Sequence, residues 1–210
     1  YKVVRVNYQG DVGMHIAKSL WGIAKHHRDW DAVLEKTLEE QIAFLGKCYA
    51  YGAQAFETDE TTKKEILEFN KKIYSQDEST KEIYSIARAW SLEKFELIYE
   101  RLGTRFDEFY FESEVWERGL EIVKKFLKKG VFKKGDGAII FPGSEHGLHD
   151  RVFITTEGNP TYEAKDLALS ERRHTKHRPD KIIHVVGQEQ TEYFKVVFKA
   201  LEFTLPKSKG

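Results

Sequence analysis

Tyr162 and Asp166 stand four residues apart in the run Tyr162-Glu163-Ala164-Lys165-Asp166. With Pro160 just ahead, the run reads as the start of a helix, and residues four apart on a helix project from one face. A phenol and a carboxylate placed this way can receive a cation together. A second polar cluster, Gly187-Gln188-Glu189-Gln190, follows about one helix and one strand later.

The elements needed to hold these residues are legible as a pattern. Ile182-Ile183-His184-Val185-Val186 is an apolar run that reads as a buried parallel strand, and it would deliver residues 187–190 to the strand's carboxyl end. In open α/β sheets ligands bind at that end. A strand at 151–155, a helix at 162–175, a strand at 181–186 and a helix at 191–202 give a βαβα unit, for which a right-handed crossover is expected. A helix over 116–129 and a short strand over 138–141 precede it. The Gly- and His-rich loop that follows them carries His146 and His149, which receive no role.

At the amino end, residues 3–6 read as a short strand and Asn7 to Gly13 as the loop after it, with a helix beginning near Met14. From there to about residue 129 the pattern is mostly helical. Ile16, Leu20 and Ile23, then Leu34, Leu38, Ile42, Leu45 and Tyr49, recur at helical spacing. Helices are expected over 61–74 and 79–102, the latter capped by Ser79 with Glu82 as its capping-box partner. Trp21, Trp30, Tyr49, Tyr51, Phe56, Tyr84 and Trp90 read as the core of this helical stretch. Residues 106–113, with Phe106, Glu108 and Tyr110 alternating against Asp107, Phe109 and Phe111, read as a strand that returns to the main sheet.

Composition sets limits. The 210 residues are 40% hydrophobic and 13% aromatic, enough for a sizeable core, and 34 basic residues balance 34 acidic ones. A neutral whole does not advertise broad nucleic-acid binding. The local runs Lys124, Lys125, Lys128 and Lys129, and Arg172, Arg173, Lys176 and Arg178, read chiefly as solvated helix ends. One cysteine, Cys48, excludes an internal disulfide and fits a reducing, cytoplasmic setting. No apolar run approaches the ~20 residues that cross a bilayer. The eight histidines, including His26-His27 and the pair His174 and His177, lack metal-ligand spacing, and no metal site is expected.

Four blocks carry a resemblance to a known family. Val3-Val4-Arg5-Val6-Asn7-Tyr8-Gln9-Gly10-Asp11-Val12-Gly13, Phe106-Asp107-Glu108-Phe109-Tyr110-Phe111-Glu112-Ser113, residues 161–169 and residues 184–201 resemble, in order and spacing, the catalytic domain of arginyl-tRNA synthetase, a class I aminoacyl-tRNA synthetase. The implied fold is α/β, the second half of a Rossmann-like nucleotide-binding parallel sheet with a mostly helical insertion. Residues 1–13 would end the first half, 14–105 form the insertion, and 106–210 form the second half. The implied reaction uses L-arginine and ATP, with Mg, to make arginyl-adenylate, and then passes the arginyl group to the terminal ribose of tRNA(Arg).

Carried over residue by residue, the resemblance makes Tyr162, Asp166 and Gln190 the ligands of the arginine side chain, with Gln188 the fallback for Gln190. The chemistry agrees: a guanidinium is a planar fork of donors that pairs with a carboxylate through two parallel charge-assisted hydrogen bonds, while lysine offers a point charge. Gly187 and Glu189 correspond to the glycine and acidic residue that approach the adenylate ribose. The loop carrying Asn7, Asp11 and His15 would close one wall of the site, although turn-forming Asn and Asp before a helix explain the same residues. Synthetases for neutral or acidic amino acids are disfavoured, because Asp166 would then be left without a cation.

Departures from the family pattern are equally plain. Neither a His-x-Gly-His type motif nor a Lys-Met-Ser-Lys type loop occurs at its family position, and Leu205-Pro206-Lys207-Ser208-Lys209-Gly210 follows the last helix too closely to serve as that loop. No catalytic residue is assigned. With Tyr1 inside a strand-like run, the chain reads as an interior fragment of a larger synthetase. It is expected not to aminoacylate alone and to meet tRNA mainly through domains outside it. The alternative is a non-catalytic arginine- or partner-binding module derived from a synthetase.

Overall fold

The computed structural model describes residues 2–26 and 30–205; His27 and residues 206–210 lie outside the described residues. The elements run β1 (Val6–Gln9), α1 (Met14–Lys25), α2 (Trp30–Leu34), α3 (Leu38–Thr58), α4 (Glu60–Tyr74), α5 (Glu78–Arg101), β2 (Glu108–Phe111), α6 (Trp116–Leu127), β3 (Lys133–Gly135), β4 (Ala138–Phe141), β5 (Arg151–Ile154), α7 (Tyr162–His177) and α8 (Thr191–Thr204). They form two compact units, Tyr1–Ser113 and Glu114–Gly210.

In the first unit β1 and β2 pair in parallel, Val6 opposite Glu108 through Gln9 opposite Phe111. A parallel pair needs a crossover, and α1 to α5 are that crossover. This is the parallel sheet and helical insertion that the sequence suggested. Burial of one stripe holds the helices together: Ala17, Leu20, Trp21 and Ile23 of α1 join Trp30, Cys48, Ile66, Ile73 and Trp90 in one core. The axis of α1 crosses α3 closely enough that backbones touch. A Cβ on Gly22 would lie 2.2 Å from the Cys48 carbonyl oxygen, and one on Gly52 2.1 Å from that of Lys18.

Local chemistry sets the helix starts. Thr37 and Glu40 form a reciprocal capping box on α3. The start of α5 differs from the expectation, since Asp77 is the cap, accepting from the Ser79 backbone N–H at 2.9 Å and from its hydroxyl at 2.5 Å. The Asp77 carboxylate, two residues earlier, takes the cap position, and Ser79 falls inside the first turn. Tyr49 and Tyr51 also depart from the core assignment: both are exposed, and Tyr51 stacks on Trp21 at the rim.

In the second unit β3, β4 and β5 form an antiparallel meander. The β3–β4 turn is Asp136-Gly137, with φ of 49° and 81°, the left-handed pair that a two-residue hairpin turn demands. Phe132, Phe141 and Phe153 fill the space beneath it, with ring centroids 4.9–6.2 Å apart. Helix α6 lies against α7 at Gly119, where a Cβ would come within 2.6 Å of the Ala164 carbonyl oxygen. Arg118 clamps the two helices, donating from Nε and Nη2 to the two oxygens of Glu171 at 2.6 and 2.8 Å. Those bonds hold the Glu171 carboxyl below its ordinary range.

The expected parallel βαβ unit of this half is not formed. β5 pairs only antiparallel with β4, and residues 181–187 have no regular secondary structure. Ile183 and Val185 are 75% and 94% exposed instead of buried. A strand exists only where neighbours take up its N–H and C=O groups, and among the described residues none pairs with this run.

Candidate functional site

The turn Thr155–Gly158 and the bridge from Ile154 to Pro160 aim the chain into α7. Thr161, the residue before the helix, is anchored by its hydroxyl, which donates to the Val152 carbonyl at 2.8 Å. Tyr162 and Asp166 then occupy the first two turns of α7, as the spacing required. Between them, Glu163, Ala164 and Lys165 are buried, while Tyr162 is half exposed with the Lys165 ammonium 5.1 Å from its ring centre.

Asp166 is held by a residue that sequence reasoning missed. Tyr193, in the first turn of α8, donates its hydroxyl to Asp166 Oδ2 at 2.5 Å. The ring of Tyr193 carries the Arg151 guanidinium at 5.3 Å, and Arg151 donates from Nη1 to the buried carboxylate of Glu163 at 3.0 Å. A chain of contacts, Glu163 to Arg151 to Tyr193 to Asp166, thus joins β5, α7 and α8. Tyr193 lies three residues after Gln190, so it and Gln190 share the helical start that brings α8 to Asp166. That spacing was the one signal available.

Residues 187–190 are exposed, in a short turn that leads into α8. The Gln190 backbone N–H donates to the Gly187 carbonyl at 3.0 Å, and the Thr191 hydroxyl to that of Gln188 at 2.8 Å. The Glu189 carboxylate folds back over Gly187, where a Cβ would lie 2.2 Å from Oε1 unless that flexible side chain swung aside. Gln188 and Gln190 are exposed, and among the described residues neither side chain makes a hydrogen bond. The preceding segment rests on α8 through His184, whose ring packs against Phe194 and Phe198 at 5.0 and 5.1 Å. Burial, helped by the charge of Arg173, lowers the His184 pKa to about 4, so the imidazole is neutral at pH 7.

Within the first unit, the loop after β1 is fixed from inside. Asp11 is 5% exposed. Its Oδ1 accepts from the Ser113 backbone N–H at 2.8 Å, and its Oδ2 from the Ser113 hydroxyl at 2.7 Å, Arg88 Nε at 3.0 Å and the Tyr84 hydroxyl at 3.2 Å. Burial and this carboxylate push the Tyr84 hydroxyl up to about 12. Asn7 lies in β1 opposite Phe109. A side chain on Gly10 would meet the buried Glu112 carboxylate at 3.2 Å and the His15 ring at 3.5 Å. Asp11 therefore works as a tether that joins β1, β2 and α5.

Comparison with known proteins identifies the family. A family model described as tRNA synthetases class I (R), catalytic domain, matches residues 1–207. The arginine–tRNA ligase of Amoebophilus asiaticus is 28% identical over 222 residues, covering 96% of this chain and 36% of that protein. The arginine–tRNA ligase of Treponema pallidum is 30% identical over 202 residues, covering 95% and 34%. The chain thus spans about a third of the length of the curated relatives it matches. Among solved structures, arginyl-tRNA synthetase from Plasmodium falciparum superposes with a TM-score of 0.72 at 21% identity, over 96% of this chain and 33% of that one. A putative arginyl-tRNA synthetase from Campylobacter jejuni gives 0.60 at 20% identity, over 99% and 44%.

Proposed function

Because the chain belongs to the class I (R) tRNA synthetase catalytic-domain family, where R stands for arginine, we propose that it supplies the arginine-side-chain pocket of an arginine–tRNA ligase. The observation that carries this reading is the family match over residues 1–207, a span that includes every candidate ligand. Asp166 pairs with the substrate guanidinium through both oxygens, Tyr162 closes one side, and Gln190 donates or accepts at the fork. Gly187 lets the adenosine moiety approach the backbone, and Glu189 accepts from ribose hydroxyls.

The reaction then follows from the substrates. The arginine carboxylate displaces pyrophosphate from ATP to give the adenylate, and a hydroxyl of the terminal ribose of tRNA(Arg) displaces AMP. Holding the guanidinium at a fixed distance positions the far carboxylate for the first step, a contribution of orientation and not of bond chemistry. Mg would enter as the companion of the ATP phosphates, whose charge it would partly neutralise. Among the described residues no helix is long and apolar enough to cross a membrane, and the buried single thiol of Cys48 fits a reducing cytoplasm.

Calorimetric titration of arginine tests the pocket. Asp166→Asn should weaken binding by about 2 to 5 kcal/mol, the range for breaking a desolvated charge pair. Citrulline, which lacks the cation, should fail to bind the wild type. Equal affinity of Asp166→Asn and wild type for arginine would remove the pocket from this chain.

A further inference from the structure

We infer that Tyr193 is the positioning residue that sets the orientation of Asp166 for guanidinium recognition, backed by the ion pair of Arg151 and Glu163. This rests on the proposed role of Asp166 as the guanidinium ligand. An aspartate carboxylate turns readily about its last torsion, whose preferences are broad, and a bidentate fork engages only when both oxygens lie in the plane of the guanidinium. Something must therefore fix the plane of Asp166.

The phenol of Tyr193 is built to do that. Its hydroxyl reaches Oδ2 of Asp166 at 2.5 Å, a donor bound to a charged acceptor and so among the stronger hydrogen bonds. A carboxylate offers about four lone-pair positions, so it can accept from Tyr193 and from a bidentate fork at the same time. The ring itself is held by the Arg151 guanidinium at 5.3 Å, and the cation above the ring makes the hydroxyl a better donor. An unneutralised arginine here would repel the substrate. Glu163, only 8% exposed, meets Arg151 at 3.0 Å and cancels that charge. The guanidinium is thus held between Glu163 on one side and the Tyr193 ring on the other. The arrangement orients the Asp166 carboxylate beside the first turn of α8, and the charge of Arg151 is offset by Glu163.

Steady-state ATP–pyrophosphate exchange, on the protein encoded by the complete open reading frame, separates the possibilities. Tyr193→Phe keeps the ring under Arg151 and removes only the donor. It should raise KM for arginine about ten-fold, with KM for ATP and kcat changed less than two-fold. An unchanged or lowered KM for arginine overturns the proposal, and so does an equal rise in both KM values, which would mark a general structural role. Asp166→Asn is run in parallel. If it loses arginine while Tyr193→Phe does not, the pocket stands and Tyr193 is excluded; if both variants keep wild-type KM for arginine, the pocket itself fails.

Discussion

Two turns that follow extended segments, residues 10–13 after β1 and residues 187–190 after 182–186, are held in opposite ways. The first segment has a partner strand, β2, and its turn is locked by Asp11 onto Ser113, Arg88 and Tyr84. The second has no partner strand among the described residues, and its turn is exposed. The residue types are similarly strand-like in both cases. What differs is whether the fold provides a ladder and a buried acceptor, so stability in the first turn comes from internal contacts, while the second keeps its polar groups available to a ligand.

That contrast predicts where mutations hurt. The largest effect is expected at Asp11→Ala, which strips the acceptor from the Ser113 N–H, two hydroxyls and the partly exposed Arg88 guanidinium, and should cost about 2 to 4 kcal/mol of unfolding free energy. Chemical denaturation measures it, and a loss below about 1 kcal/mol would mean the first turn is no more fixed than the second. Gly119→Ala comes next. The new methyl would press on the Ala164 carbonyl 2.6 Å away, and forcing α6 off α7 should cost about 1 to 3 kcal/mol. The same denaturation curves show it, and a neutral Gly119→Ala would mean the two helices separate freely. By contrast, Gln188→Ala, in the exposed turn, should leave stability within about 0.5 kcal/mol.

A pH dependence is also expected in the second region. His184 is neutral when docked, with its pKa lowered from 6.5 to about 4, and it returns to its ordinary value when the segment leaves α8. The released form therefore binds the extra proton between those two values, and docking is complete above pH 6.5 and weakens as the pH falls toward 4. NMR of the His184 ring should show protonation and loss of contact with Phe194 together. A ring that titrates near 6.5 while still docked would contradict it.

Much of this was legible in the sequence because it was local. The helical spacing of Ile16, Leu20 and Ile23 gave α1, and the apolar stripes gave α4 and α5 within a residue or two. The four-residue spacing of Tyr162 and Asp166 put both on one helix face. Elements that depend on distant partners were not legible. Ile182 to Val186 has the composition of a buried strand, but composition does not supply a neighbour. β3 is Lys133-Lys134-Gly135, with no apolar signal, although the Asp136-Gly137 pair after it is a hairpin turn that could have revealed it. The bonds from Asp11 to Ser113 span 102 residues, and Tyr193 reaches Asp166 across 27. Such contacts follow from tertiary packing, and neither residue type announces them.

The most direct test of the pocket is a crystal structure of the protein with arginine bound. The account predicts the guanidinium paired with both oxygens of Asp166 at about 2.7 to 2.9 Å, with the Tyr193 hydroxyl still on Oδ2 and Tyr162 and Gln190 alongside. A guanidinium seated anywhere else, with Asp166 still bound only to its neighbours in the fold, would contradict it.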